Sequence, residues 1–192
     1  GMSSATSVIL HTGKAIAGDL DNLPSSAVYG ICQAPPNGPW GASPQVLATG
    51  WFDGTVRVYD LRVASHPPSP TFNLSSLSLS SSSPPRTVTG APLLAPVMTF
   101  RDRWSTEPIY SLSAGGGSNA HIAAGTARLG VVAFWDVRNP REGWSVYAPG
   151  NDRSPVFEVV MEGSRLFGVT ELRSFVYDFV SHREFVGGLF SC

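Results

Sequence analysis

Three times along the chain a short β-branched and aromatic run ends in an aromatic residue followed by aspartate. The runs are F-D-G-T-V-R-V-Y-D-L-R at 52–62, A-R-L-G-V-V-A-F-W-D-V-R at 127–138 and L-R-S-F-V-Y-D-F at 172–179. A strand that stops on such a pair, once per repeat, is the mark of a propeller blade of the WD-repeat kind. The three aspartates, Asp60, Asp136 and Asp178, are spaced 76 and 42 residues apart. A Ser/Pro-rich stretch lies in the wider gap. Setting aside about 30 residues for it leaves roughly 45, within the usual blade period. The fold class is therefore all-β, a partial arc of about three to three and a half four-stranded blades. A propeller needs at least four, so residues 1–192 read as the C-terminal part of a larger propeller, or as an arc that pairs with another copy. A plain β-sandwich is the competing architecture.

The chain between these runs fits the same plan. Residues 7–17 read as a hairpin and 20–26 as a loop. Residues 27–32, 46–51 and 55–61 read as strands, the last two joined through Asp53-Gly54, where glycine takes positive φ without a β-carbon clash. Residues 93–100, 109–113, 120–126, 131–136, 156–161, 165–169 and 174–179 are further strand candidates, with 185–190 as a last outer strand. No segment has a convincing helical pattern. Residues 65–92 are dominated by serine and proline, including a pure serine run at 80–83. Such a segment buries too little apolar surface to offset its ordering entropy, so it is expected to be a disordered insertion.

Composition narrows the function classes. The net charge is −1 with only 14% charged residues, so no basic excess points to nucleic acid. No apolar run approaches a membrane span, and the first residues lack the basic and apolar regions of a signal peptide. The two cysteines, Cys32 and Cys192, form no disulfide framework, and no Cys/His spacing suggests zinc. The default setting is intracellular, in the cytoplasm or nucleus, with no metal and no cofactor. Gly115 to Ala120 formally fits G-x-G-x-x-A, but 121–124 reads as a strand and not as the helix that pyrophosphate binding needs. Gly13-Lys14 lacks the rest of a phosphate loop. Cys32 on an apolar strand reads as a buried inert thiol, although His11 or His121 could be imagined beside it. No G-x-S-x-G and no H-E-x-x-H occurs. The chain is accordingly read as a non-enzyme.

From 108 to 179 the segments P-I-Y-S-L, H-I-A-A-G-T-A-R-L-G-V-V-A-F-W-D-V-R, S-P-V-F-E-V-V and S-R-L-F-G-V-T-E-L-R-S-F-V-Y-D-F resemble the C-terminal blades of F-box/WD-repeat proteins of the dactylin type. The glycine and two valines before the Trp-Asp pair carry this resemblance, as does a terse last repeat ending in aromatic-Asp-Phe. It extends to the rest of the chain apart from the Ser/Pro insertion. The resemblance implies the substrate-receptor part of an SCF-type, cullin-RING ubiquitin ligase, acting in ubiquitin-dependent protein catabolism. In that family an F-box binds a Skp-type adaptor and the propeller presents a protein target. These residues contain no F-box, so an adaptor would bind only through one outside this chain. A WD-repeat scaffold unrelated to ubiquitin is the alternative.

WD repeats brace each blade with a hydrogen-bonded set of Gly-His, Ser/Thr, a turn Asp and Trp. Here Thr49, Asp53 and Tyr59 take three of those roles in one blade, and no Gly-His precedes Ala27. Thr126 and Trp135 serve the next blade, where Arg128 stands near the turn-Asp position. Tyr59 and Tyr177 replace Trp. The aspartates Asp60, Asp136 and Asp178 are read as turn-closing and structural. One feature is left over from packing. Loops before the inner strands and turns between the middle strands should share one end of the arc, and they carry Arg103, Trp104, Arg128, Arg153 and Arg173. Arginine's planar fork suits carboxylate or phosphate, and tryptophan can anchor an apolar contact. These five are the expected partner-binding residues for an acidic or phosphorylated protein target.

Overall fold

A computed structural model describes residues 9–10, 26–65, 93–103 and 105–179. In chain order the elements are β1 (Ile9–Leu10), β2 (Val28–Gln33), β3 (Val46–Trp51), β4 (Thr55–Asp60), α1 (Leu61–Ser65), β5 (Leu93–Leu94), β6 (Met98–Arg101), β7 (Ile109–Gly115), β8 (His121–Thr126), β9 (Val131–Asp136), β10 (Asn139–Tyr147), β11 (Val156–Glu162), β12 (Arg165–Thr170) and β13 (Ser174–Asp178). They form two four-stranded antiparallel sheets, β2-β3-β4-β6 and β7-β8-β9-β10, and a three-stranded one, β11-β12-β13. Each is a meander of neighbours, the arrangement of a blade. β1 and β5 add a short parallel pair.

The turns follow from the sequence. Gly54 has φ of 76° in the turn between β3 and β4. Gly115 and Gly116 take positive φ and turn β7 into β8, so the glycine-rich stretch is a hairpin loop. Three elements depart from the sequence reading. The expected strand at 93–100 breaks in two around Ala95-Pro96, where proline has no N–H for a ladder. A one-turn helix, α1, follows the first blade's third strand. Residues 139–147 form a long outer strand, β10, whose side chains are almost all exposed and therefore show no apolar alternation. The hairpin at 7–17, apart from 9–10, lies outside the described residues. So do the outer strand at 185–190 and the insertion, apart from Ser65, which ends α1.

Blades interlock through their inner strands. β2 lies against β7, and β7 against β11. Ile109 and Val156, the first residues of β7 and β11, are buried and press into notches at Gly50 and Gly125 of the preceding blade. A β-carbon at Gly50 would come 2.5 Å from the Ile109 Cγ2. Polar stitches cross the second junction: the Ser111 hydroxyl donates to the Val156 carbonyl (3.2 Å), and the Met161 N–H donates to the Ser113 hydroxyl (2.9 Å). One apolar core fills the space between the first two blades, with Phe100 and Trp135 at 5.8 Å across it. A second core joins the second and third blades through Phe134, Val156, Leu166 and Phe175.

Candidate protein-binding face

Strand direction puts two kinds of connection at the same end of every blade. One is the loop entering the inner strand, described at 102–103, 105–108 and 148–155. The other is the turn between second and third strands, at 52–54, 127–130 and 171–173. Their backbones are tied together. The Ala127 N–H donates to the Pro108 carbonyl (2.9 Å), and the Leu129 N–H to the Arg153 carbonyl (3.0 Å). The Ala148 N–H donates to the Gly130 carbonyl (2.6 Å). Gly130 has φ of 59°, and a β-carbon there would overlap the Asp152 carbonyl oxygen. Only glycine satisfies both conditions.

Side chains complete the bracing. The Arg128 N–H donates to the Glu107 carboxylate (3.0 Å), and the Thr126 hydroxyl to the Arg128 carbonyl (2.8 Å). Asp152, almost wholly buried, accepts the Ser154 N–H (2.9 Å) and hydroxyl (2.5 Å) and the Thr170 hydroxyl. Arg173 Nε stands 3.7 Å from the same carboxylate. The Ser154 hydroxyl bond, then that from Thr170, holds the Asp152 carboxyl below its ordinary range, with Arg173 adding a smaller pull. Asp152 stays ionised and fixes Arg173 to the loop that carries Arg153. The structure thus brings Arg128, Arg153 and Arg173 onto one hydrogen-bonded set of loops, all exposed. Arg103, also exposed, sits in the neighbouring loop that supplies Glu107, and Trp104 lies outside the described residues.

The other sequence-derived positions occupy the blades and both of their ends. Thr49 accepts the indole N–H of Trp51 (2.7 Å) and donates to the Arg57 carbonyl (3.0 Å). Asp53 caps its own turn through the Thr55 N–H (3.1 Å) and hydroxyl (2.6 Å), and it pairs with Arg57, which also lies over the Trp51 ring. Tyr59 is fully buried 6.4 Å from Trp51, and burial raises its hydroxyl pKa. Trp135 is 1% exposed, and Tyr177 donates to the Tyr147 carbonyl. Asp60 and Asp136 each accept both the backbone N–H and the guanidinium of the arginine two residues on, Arg62 and Arg138. Asp178 pairs with Arg165 (3.1 Å). The Arg138 guanidinium holds the Asp136 carboxyl down at about 2. Sequence reasoning gave these arginines no role, although the repeated D-x-R at 60–62 and 136–138 carried the signal.

A second group was missed at the loop end. Each inner strand bears an aromatic at its second residue: Tyr29, Tyr110 and Phe157. Ring centroids are 5.4 Å apart for Tyr29 and Tyr110, and 6.4 Å for Tyr110 and Phe157. Phe52, in the first turn of this end, lies 6.0 Å from Tyr29. The signal was the recurrence of V-Y-G, I-Y-S and V-F-E at one position per repeat.

At the opposite end a cleft of about 400 Å³ opens between the second and third blades over Phe134, Trp144 and Phe179. The arginines on its rim, Arg138 and Arg165, are those already paired with Asp136 and Asp178. Cys32 is half-buried, and burial pushes its thiol up to about 12. Among the described residues no group of His, Cys, Asp or Glu is placed to hold a metal ion, and no helix is long and apolar enough to cross a membrane.

With this geometry in view, solved structures similar to the chain are WD-repeat propellers. The WD40 domain of Toxoplasma gondii coronin superposes with a TM-score of 0.53 at 19% identity, over 80% of this chain and 31% of that one. The β-propeller domain of Cps50 (Swd1) from Myceliophteria thermophila superposes with a TM-score of 0.50 at 14% identity, over 83% of this chain and 36% of that one. The chain thus spans about a third of each. No protein-family model and no curated protein matches it. The fold is a partial arc of a WD-repeat β-propeller.

Proposed function

We propose that this arc is a protein-binding module whose loop end takes an acidic or phosphorylated segment of a protein target. One observation carries the reading: Arg128, Arg153 and Arg173 are exposed on loops that are hydrogen-bonded to one another. Such loops fix the backbones that carry the arginines, so that only side chains are left to order on binding, and guanidinium forks favour carboxylate and phosphate. Arg103 and Trp104 belong to the same proposed surface. The resemblance to F-box/WD-repeat proteins supplies the wider setting, a substrate receptor of an SCF-type ubiquitin ligase in the cytoplasm or nucleus. A Skp-type adaptor would join through an F-box outside these residues. A WD-repeat scaffold without any link to ubiquitin fits the fold equally, because propellers host many functions.

Two measurements test the reading. Reversing charge with Arg128→Glu and Arg153→Glu should weaken binding of an acidic target peptide at least about tenfold, with the melting temperature nearly unchanged. Arg173→Gln is the better third variant, because Arg173 Nε stands 3.7 Å from the Asp152 carboxylate, which a glutamate in its place would repel. Full retention of binding after the double reversal excludes the arginine face. Recovery of a Skp-type adaptor with a longer parent protein, and not with this chain, selects the ligase setting over the plain scaffold.

A further inference from the structure

The three blades are built alike at the end away from the arginine loops. The residue after each strand-ending aspartate donates its N–H to the carbonyl just before the second strand: Leu61 to Gln45 (2.9 Å), Val137 to Ala120 (2.9 Å) and Phe179 to Ser164 (3.0 Å). The blades can therefore be matched position by position. The Val58–Met98 pair of the first blade corresponds to Phe134–Trp144 of the second, and Arg62 to Arg138. The first junction is plugged from within. The loop at 34–45 packs Trp40, half-buried, against the core that holds Val58 and Val137. The Trp40 indole N–H donates to the Pro35 carbonyl (2.9 Å). Its own carbonyl accepts from Arg62 (3.0 Å), the guanidinium that Asp60 holds. At the second junction the corresponding turn is the short, glycine-rich one at 116–120, and a β-carbon on Gly117 would meet nothing within 4 Å. The space there is the cleft of about 400 Å³ over Phe134, Trp144 and Phe179. Arg138 lines it, held by Asp136 as Arg62 is by Asp60.

We propose that this cleft takes a tryptophan side chain of a partner protein, presented on a loop as Trp40 is presented at the first junction. The ring rests against Trp144 and Phe179, and the tryptophan's own carbonyl accepts from Arg138. The walls suit a flat ring. Phe134 and Trp144 are stacked with 8° between their planes, and Phe179 stands at 82° and 79° to them. A ring in that corner can lie face to face on one wall and edge to face on the other. Trp144 and Phe179 are 46% and 47% exposed, so this surface is still open. For the indole N–H the wall offers the Ser118 hydroxyl and the His121 ring, 3.1 Å from each other. Charge fits an uncharged occupant. Arg138 is paired with Asp136 and Arg165 with Asp178, and Glu162 is exposed in the adjoining turn. Neither bare guanidiniums nor bare carboxylates cluster to draw in an acid or a cation. Tryptophan is also among the residues that dominate binding energy at protein interfaces. The site stands at the other end of the blades from Arg128, Arg153 and Arg173 and does not rest on the function proposed for them.

The plug itself supplies the probe. A labelled synthetic peptide with the sequence of residues 35–44, P-P-N-G-P-W-G-A-S-P, is added to the full chain and followed by fluorescence anisotropy. It should bind, and its Trp40→Ala form should bind at least roughly tenfold more weakly. Amide shifts on the unmodified chain should fall on Gly117, Ser118, Ser164 and the Trp144 indole. In the chain, Phe179→Ala should weaken the peptide roughly tenfold and Phe179→Leu by less. Arg138→Gln should weaken the peptide but not free indole, which has the ring and no carbonyl. Arg128→Glu, at the far end, should change neither. Equal binding of the tryptophan and alanine peptides overturns the site, as do normal binding by Phe179→Ala, failure of the peptide to bind, or shifts confined to the first junction or to the arginine loops. Binding of free indole without the peptide would make the cleft a small-molecule pocket and remove the protein partner. Peptide binding that appears only after Phe185→Ser and Phe190→Ser would give the cleft to the chain's own last residues. Self-association of the chain that Phe179→Ala abolishes would give it to a second copy.

Discussion

Trp135 illustrates how a residue's work can follow from its neighbours alone. It is 1% exposed, with Phe100 of the preceding blade on one side and Gly143 of the outer strand against its indole edge. Nothing there can collapse into the space of a lost indole without moving a sheet. Trp135→Ala should cost roughly 3–5 kcal/mol, read from urea unfolding. A variant of unchanged stability that lost a partner would assign the residue to binding instead. Its neighbour Asp136 gives a pH signature. Its carboxyl titrates near 2 in the folded chain because Arg138 holds it, against about 3.9 when unfolded. A depressed carboxyl stabilises the fold above its unfolded value, and that contribution disappears as pH falls through the folded one. Asp136→Asn should therefore be less stable at pH 7, and the difference should shrink between about pH 4 and pH 2, followed by thermal melts.

At the level of elements, legibility tracked how strongly local chemistry dictates a shape. β3 and β4 could be read because Asp53-Gly54 admits one tight turn between two apolar runs. β9 could be read from V-V-A-F-W-D, a run buried on both faces. β10 could not, since N-P-R-E-G-W-S-V-Y carries Pro140, Gly143 and charges, the usual protections of an exposed edge, and its pairing partner is fixed only by the preceding strand. The arginine end was legible as an inference from repeat spacing. Its bracing was not, because Glu107 and Asp152 come from loops whose contacts exist only once the blades pack. Nor was the aromatic row, since one tyrosine in a strand looks like ordinary core alternation. β10 also has a testable anchor. Trp144 stacks on Phe134 at 4.0 Å with 8° between the planes, although it is 46% exposed. Trp144→Ala should lower stability by about 2 kcal/mol and increase hydrogen exchange along β10 before the other strands. Uniform exchange across the blade would show that the outer strand is held by its backbone ladder alone.

For the whole molecule, the Ser/Pro composition of 66–92 offers little to bury, and long surface insertions add little closure entropy. Replacing that stretch with a short Gly/Ser linker should leave the melting temperature within a few degrees by calorimetry. A large drop would mean that it packs on the blades. The first blade has a further consequence in time. Val58 of β4 pairs with Met98 of β6, 40 residues later, so the edge of β4 has no partner until Met98 has been synthesised. At about 5–20 residues per second, that edge stays open on a translating ribosome for roughly two to eight seconds. Neighbouring ribosomes on one message present the same edge at staggered stages, so co-translational strand exchange between nascent chains is the hazard this order of synthesis creates.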